Sequence, residues 1–389
     1  MIAFAVLGLM VAILLALAVT KLASVIKGSL ALRSAPQGAS PDFDSVLLKS
    51  AAAPGISVVC VAPDASDRRR AHVRRLLDLH YGAHEVVLVV RSVAGWTEDL
   101  RLVREERTAA PELPGVRIRG YYVSREPIRL LVLDAETTDP AKAWQAGIAA
   151  AQYQMIAVVD QEAEFIPECL LRLIRPMLRE ERMLAVCGLA PGPVRHELIG
   201  RFSALRTLCG WLEHNFHFAE RGQLVLLPGA TLVVRREAIL GVTGFGEGSR
   251  ELALELPAVR QVGFVPAAIS WRRAAADWEE LRGQLARDRY HAAPAFHALL
   301  ETVALLAALG ACIAGQAPWS MAGLVLLATA GAGILISMTA VVLRERVEPS
   351  GMAPGEIAAL FFSAIPENLG YRQARNLWIC LRSLRGHSA

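Results

Sequence analysis

Ile2 to Thr20 is an apolar run without a single charge. It reaches the ~20 residues a helix needs to cross the bilayer core, so it restricts the chain to folds that tolerate a membrane at one end. No basic region precedes it, and the first charges, Lys21 and Lys27, come after it. That pattern reads as a retained anchor rather than a cleaved leader, and the positive-inside bias places the chain beyond Lys21 in the cytoplasm. Composition agrees: 54% of the residues are hydrophobic and the mean hydropathy is +0.37, too apolar for an ordinary soluble enzyme.

Two more spans are expected near the C-terminus. Ala304 to Gly315 is strongly apolar and, extended back to Ala295, long enough to cross; Trp319 to Leu343 carries no charge, and Arg344-Glu345-Arg346 comes directly after it. The resulting topology puts the short Gln316–Ser320 linker outside and both the middle of the chain and the C-terminus inside, a multi-pass protein of the cell inner membrane. Glu356 to Ile365 is too short to span. With the arginines of "YRQARNLWICLRSLRGH" behind it, it reads as an interfacial amphipathic segment with Trp378 at headgroup level and membrane lipids as partners.

The formal net charge of +4 is small, only four of the 41 basic residues are lysines, and no block of basic and aromatic residues suggests a nucleic-acid face. Six scattered cysteines form no CxxC pair, which fits a reduced compartment and argues against a zinc site. His214 and His217 lie three apart with no third metal ligand near in sequence.

After a Ser/Ala/Gly/Pro-rich linker over 28–54, apolar runs alternate with helical patterns. Strands are expected at 56–62, 85–90, 129–134, 155–160 and 184–190, and at 262–271 with a turn. Helices are expected from Asp67, over 98–107, 140–152, 166–178, 195–220 and 277–292. This alternation predicts an α/β domain with a mostly parallel, Rossmann-like sheet over 55–292, whose ligands bind beyond the carboxyl ends of the strands. At one such end stands "VVDQEAEF", with Asp160 and Glu162 one residue apart. Two carboxylates there suit Mg²⁺ or Mn²⁺, unless Glu162 is only a solvated residue at a strand top. Asp64 and Asp67 come after the first strand, as donor contacts or as helix caps. Lys142, the only lysine of this domain, is a phosphate contact or a surface residue.

The order of these pieces resembles a membrane-anchored family 2 glycosyltransferase of GT-A fold. The resemblance runs from about Pro54 to Tyr290 and again over "PENLGYRQARNLW" (366–378). It rests on "PGISVVCVAPDASD", on "KAWQAGIAAAQYQMIAVVDQEAEFIP" with a D-x-D-like loop, on "GATLVVRREAILGVTGF" and on "QLARDRY", similar to a Q-x-x-R-W helix. It implies a GT-A domain at 55–292 between an anchor at 1–27 and two transmembrane helices at 295–345, with an interfacial segment at 346–389. It also implies inverting transfer of a sugar from a nucleotide-sugar donor to a lipid or glycan acceptor, and partner proteins of an envelope glycan pathway. By position it assigns Asp64, Lys142, Asp160, Gln284 and Arg287 to the donor, Asp160 and Glu162 to the metal, and Glu251 to general-base catalysis, with Glu247 as competitor. The sequence departs from the family where the second strand runs into Arg91 in place of an acid, where Glu162 replaces Asp, where Arg250-Glu251 replaces an acidic pair, and where Asp288 replaces Trp. These departures keep open a catalytically inactive partner of an assembly complex and, further off, a plain membrane scaffold.

Overall fold

The computed structural model of the chain describes residues 2–34, 53–62, 64–97, 99–106, 115–124, 128–137, 139–161, 163–188, 192–194, 196–221, 223–225, 231–240, 253–255, 262–265, 270–273, 275, 277–287, 292–347 and 352–385. They form two compact units, one of Met1–Ala31, Pro193–Phe216 and Ala274–Ala389, the other of Leu32–Gly192 and His217–Arg273.

The second unit is an α/β sheet. Its strands in chain order are β1 (Ile56–Val61), β2 (His84–Val90), β3 (Val103–Glu105), β4 (Arg117–Ser124), β5 (Leu130–Glu136), β6 (Met155–Val159), β7 (Ala163–Phe165), β8 (Ala185–Gly188), β9 (Gln223–Val225), β10 (Thr231–Arg235), β11 (Ala253–Glu255), β12 (Val262–Val265) and β13 (Ser270–Arg272). Nine of them make one sheet in the order β12-β8-β10-β6-β1-β2-β5-β4-β3. The centre, β6-β1-β2-β5, is parallel, and β10 and β4 flank it antiparallel. The strands of this centre are continuous apolar runs because both faces are covered. Ile56, Val58 and Cys60 point with Val86, Leu88 and Val90 into a core shared with Val73 and Leu76 of α2 (Asp67–Leu77) and Leu170 and Ile174 of α4 (Cys169–Arg179). On the other face, Val59 and Val89 meet α3 (Pro140–Ala150) at Gly147, where a methyl would overlap Val59. Asp139 caps α3, its carboxylate accepting from the Ala141 N–H at 2.9 Å, and Pro140 stands in the first turn.

Three segments differ from expectation. The helix expected over 98–107 is a turn and the three-residue edge strand β3, where Arg101 takes a φ of +48°. An irregular backbone at Arg101 ends any helical turn there, and pairing with β4 takes over. β4 itself was not anticipated: "RIRGYYVS" is polar because it lies near the sheet edge, half-exposed. Residues 28–34, expected as the start of the linker, are helical and belong to α1 (Ile2–Ser34); the rest of that stretch up to residue 52 lies outside the described residues.

The other unit is helical: α1, α5 (Leu198–Arg221, shared with the sheet unit beyond Phe216), α7 (Trp278–Arg287), α8 (Ala292–Ile313), α9 (Trp319–Leu326), α10 (Ala332–Val347), α11 (Pro354–Pro366) and α12 (Arg372–Arg385); the short α6 (Arg236–Leu240) belongs with the sheet. Leu7, Val11 and Leu14 recur at helical spacing on α1 and pack on Ala304, Ala308 and Cys312 of α8 and on Met321 and Val325 of α9. Two helices are long and apolar enough to cross a membrane, Ala5–Leu30 and Trp319–Arg346; the apolar part of α8, Ala298–Ile313, is shorter than a span needs. π-Helical turns join α9 to α10 (Leu327–Gly331) and α11 to α12 (Glu367–Tyr371). Gly333 lets Asn368 and Arg372 come close, since a methyl there would overlap both. Arg372 pairs with Glu301 of α8, which also accepts from Asn376 Nδ2 at 2.7 Å.

Candidate functional site

The carboxyl ends of β1, β2, β5 and β6 present two groups of polar side chains. Around β1 and β6, Arg69 of α2 is the hub. It pairs with Asp64 in the loop after β1, and its Nε donates to Gln161 Oε1 at 3.3 Å in the loop after β6. Asp64 also accepts from the Ser66 N–H at 3.1 Å, a turn leading into α2. The Arg69 hydrogen bond, helped by the Ser66 N–H, holds the Asp64 carboxyl below its ordinary range. Half-buried Asp160 ends β6, and both it and Arg69 act electrostatically on the buried Cys60 thiol, whose pKa burial pushes up.

Around β2 and β5 lies a cavity of about 460 Å³ lined by Arg91, Gly115, Arg119, Glu136, Asp139 and Lys142, among others. Arg119 of β4 is committed: its Nη2 and Nε donate to Asp134 Oδ1 at 2.6 and 3.1 Å, and it also donates to the Arg91 carbonyl. Asp139 is spent on capping α3. Arg91 and Lys142 have no ion-pair partner among the described residues, and the Lys142 amine lies against Gly115, which at φ +78° carries no side chain to displace it. The cavity therefore offers two uncommitted cations, with Glu136 the remaining acid.

Asp64, Lys142 and Asp160 thus all stand at the ligand edge of the sheet, but Asp64 belongs to the Arg69 group and Lys142 to the cavity. Gln284 is fully buried in α7, in the helical unit. Arg287 closes that helix with its side chain outside the described residues, and Glu162 and Glu251 lie outside them altogether. Among the described residues no three His, Cys, Asp or Glu side chains gather as a metal site; the carboxylates of Asp64 and Asp160 are the hard oxygen donors around β1 and β6. Arg119 went unread because β4 was not anticipated, and Asp134 because it looked like the last residue of an ordinary strand; the signal was that acid ending the apolar run.

Arg235 and Arg236, the basic pair in the glycine-loop motif, lie at the opposite edge. β10 runs antiparallel, so Arg235 pairs with Met155, the first residue of β6. Arg235 Nε donates to the Met183 carbonyl at 3.0 Å, and Arg236 Nη2 to the Ile148 carbonyl at 2.9 Å and to that of Ala151. Arg236 thereby satisfies the open carbonyls at the end of α3, which is a structural role.

His72 of α2 is buried with its ring edge-on to Phe165 of β7, centroids 5.6 Å apart. Burial, reinforced by Arg75, lowers its pKa from 6.5 to about 4. The unfolded chain then takes the proton first, so the stabilisation is complete above pH 6.5 and is lost as the pH falls toward 4. The loss is about 3 kcal/mol. Thermal unfolding of the detergent-solubilised chain across this range is expected to show that slope, and His72→Phe to flatten it; an unchanged slope in the variant would assign it to other groups.

No protein-family model matches the chain, and no curated protein matches it. Among solved structures it is similar to glucosyl-3-phosphoglycerate synthase from Mycobacterium tuberculosis with Mn²⁺, UDP and glucosyl-3-phosphoglycerate, at 15% identity and TM-score 0.37 over 64% of this chain and 82% of that one. It is also similar to a mannosyltransferase from Pyrobaculum calidifontis with GDP-Man and Mn²⁺, at 13% identity and TM-score 0.43 over 95% and 99% of the two chains.

Proposed function

We propose that the chain is a membrane-bound, family 2-like inverting glycosyltransferase of GT-A fold, moving a sugar from a nucleotide-sugar donor to a lipid or glycan acceptor at the cytoplasmic face of the inner membrane. The observation that carries this reading is the cavity at the carboxyl edge of β2 and β5, with Arg91 and Lys142 uncommitted among the described residues. In a parallel α/β sheet this edge is where ligands bind, and two cations there suit the diphosphate of a nucleotide donor. The order of sequence motifs supports the same activity. Asp160 would hold Mg²⁺ or Mn²⁺ together with Glu162, and the ion when bound would act as a Lewis acid toward the leaving diphosphate. Glu251 would take the proton of the acceptor hydroxyl as its oxygen bonds to the anomeric carbon and the bond to the diphosphate breaks. Gln284 and Arg287 would add contacts to that diphosphate. The two long apolar helices, Ala5–Leu30 and Trp319–Arg346, would anchor the chain with the sheet unit on the cytoplasmic side and bring partner proteins of an envelope glycan pathway within reach.

Titration of the purified full chain with UDP, GDP and TDP sugars, with and without Mn²⁺, tests the proposal. One donor is expected to bind, more tightly with Mn²⁺. Lys142→Ala should weaken it roughly tenfold, the value of one charge-assisted hydrogen bond. Asp160→Asn should remove the Mn²⁺-dependent part alone. Binding of no nucleotide sugar sinks the donor site, and full Mn²⁺ dependence in the Asp160 variant moves the metal elsewhere. A second reading, an inactive glycosyltransferase-like partner in a polysaccharide or glycolipid assembly complex, is favoured by Arg91, a cation in the position where the resemblance expects a carboxylate. Donor binding without transfer to any acceptor would select it.

A further inference from the structure

One guanidinium joins three strands at the carboxyl edge, and the sugar-transfer reading leaves it without a role. Ile118 of β4 pairs with Ala135 of β5, and Gly120 pairs with Asp134, so Arg119 is the extra residue of a β-bulge. A bulge bends its strand and re-aims the side chain it carries. β4 is antiparallel to β5, so Arg119, near the start of β4, lies at the carboxyl end of the parallel strands. From there it donates twice to Asp134 Oδ1, at 2.6 and 3.1 Å, and once to the Arg91 carbonyl.

The first two bonds make an ordinary cross-strand pair between neighbours. The third does not. β5 lies between β4 and β2 in the sheet, so the bond to Arg91 passes over one strand to reach the end of the next. The ladder of β2 on β5 ends with Val90 opposite Asp134, and Arg91 is the first residue beyond it. A carbonyl leaving a sheet needs a new donor, and Arg119 supplies one.

The segment held in this way is short and has one other anchor. Ser92 Oγ accepts from the Ala94 N–H at 3.3 Å, and the Trp96 N–H donates to the Val93 carbonyl at 3.0 Å. Gly95, at φ +85°, turns the chain beside Ala65 of the loop after β1, and the Trp96 side chain is fully buried. Trp96 thus fixes the far end of residues 91–96. Arg119 fixes the near end, where Arg91 lines the cavity.

We infer that Arg119 is a positioning residue of the donor site: anchored on Asp134, it holds the Arg91 carbonyl and so sets the Arg91 guanidinium for the diphosphate of the donor. This rests on the donor reading proposed above and deepens it, because it gives β4 a part in that site. The planar fork of arginine reaches both acceptors at once, whereas the single ammonium of lysine keeps the charge but not the bridge.

The test uses the full chain in an uncharged detergent, with two readouts. The first is hydrogen exchange by mass spectrometry. Arg119→Lys and Asp134→Asn should each speed exchange over residues 91–96 about tenfold, roughly the value of one lost hydrogen bond, while β1 and β6 stay protected. The second is titration with UDP, GDP and TDP sugars. Arg119→Lys should weaken the donor that binds the wild type by about tenfold, and should have no further effect in an Arg91→Met background. A purely electrostatic role predicts no loss in Arg119→Lys, and a purely structural one predicts the same loss in both backgrounds. Unchanged exchange over 91–96, unchanged donor affinity in Arg119→Lys, or an equal loss in the Arg91→Met background overturns the inference alone. Binding of no nucleotide sugar to the wild type is a separate result, which sinks the donor reading and this inference with it.

Discussion

Glu251→Gln is expected to lower sugar transfer roughly 10²–10⁴-fold, the usual contribution of a positioned general base, and to leave donor affinity unchanged. Glutamine keeps the size and hydrogen-bonding capacity of the side chain but does not accept the acceptor's proton. On the proposed reading donor affinity belongs to other groups, Lys142 and Arg91, which line the cavity, and Asp160 through the metal. The two readouts therefore separate, a fall in rate at saturating donor against a constant donor titration. Glu247→Gln provides the comparison, because the same glycine-rich segment holds both acids; a larger effect at Glu247 exchanges their roles. In a deletion strain complemented with Glu251→Gln, cell-surface glycan or glycolipid should be lost. Full rescue by that variant removes Glu251 from the chemistry and favours the inactive-partner reading.

The sheet was legible in the sequence where burial is two-sided. "ISVVCV", "EVVLVV" and "MIAVV" have almost no polar residues to mislead the eye, and they became β1, most of β2 and β6. The segment from 98 to 124 was not legible. β3 is the edge strand and β4 the one beside it, and their partial solvent exposure allows a polar composition, so their patterns carried little signal. Asp160 and Lys142 were singled out because an acid ends an apolar run and a lone lysine begins a helix, and both stand at the carboxyl edge of the sheet. Arg119 and Asp134 were missed because their pairing joins neighbouring antiparallel strands, and neither position shows that register until the strands are paired. The basic pair Arg235-Arg236 of "GATLVVRREAILGVTGF" shows how far register decides position: the antiparallel course of β10 carries both residues to the far edge.

That far edge supports the second large prediction. Glu85 is fully buried in β2. It accepts from Ser57 Oγ at 2.6 Å and from the Gln152 N–H at 2.7 Å, and it pairs with Arg129 just before β5. The Tyr153 N–H donates in turn to Ser57 Oγ at 3.0 Å. One carboxylate thus ties the starts of β1, β2, β5 and β6, the four parallel strands whose other ends carry the site. Arg129→Met keeps the length of the side chain and leaves the carboxylate buried without its cation. Breaking a buried pair on one side costs about 3–5 kcal/mol, which lowers the midpoint of thermal unfolding by roughly 10 °C for a domain of this size. Replacing both partners, Arg129→Met with Glu85→Leu, should recover part of that loss because no charge is then stranded. Recovery stays partial, since the Gln152 N–H and Ser57 Oγ lose their acceptor. A midpoint shift in Arg129→Met below about 2 °C, well under 1 kcal/mol on the same scale, would mean that water reaches the carboxylate. The strand starts would then be held by packing alone.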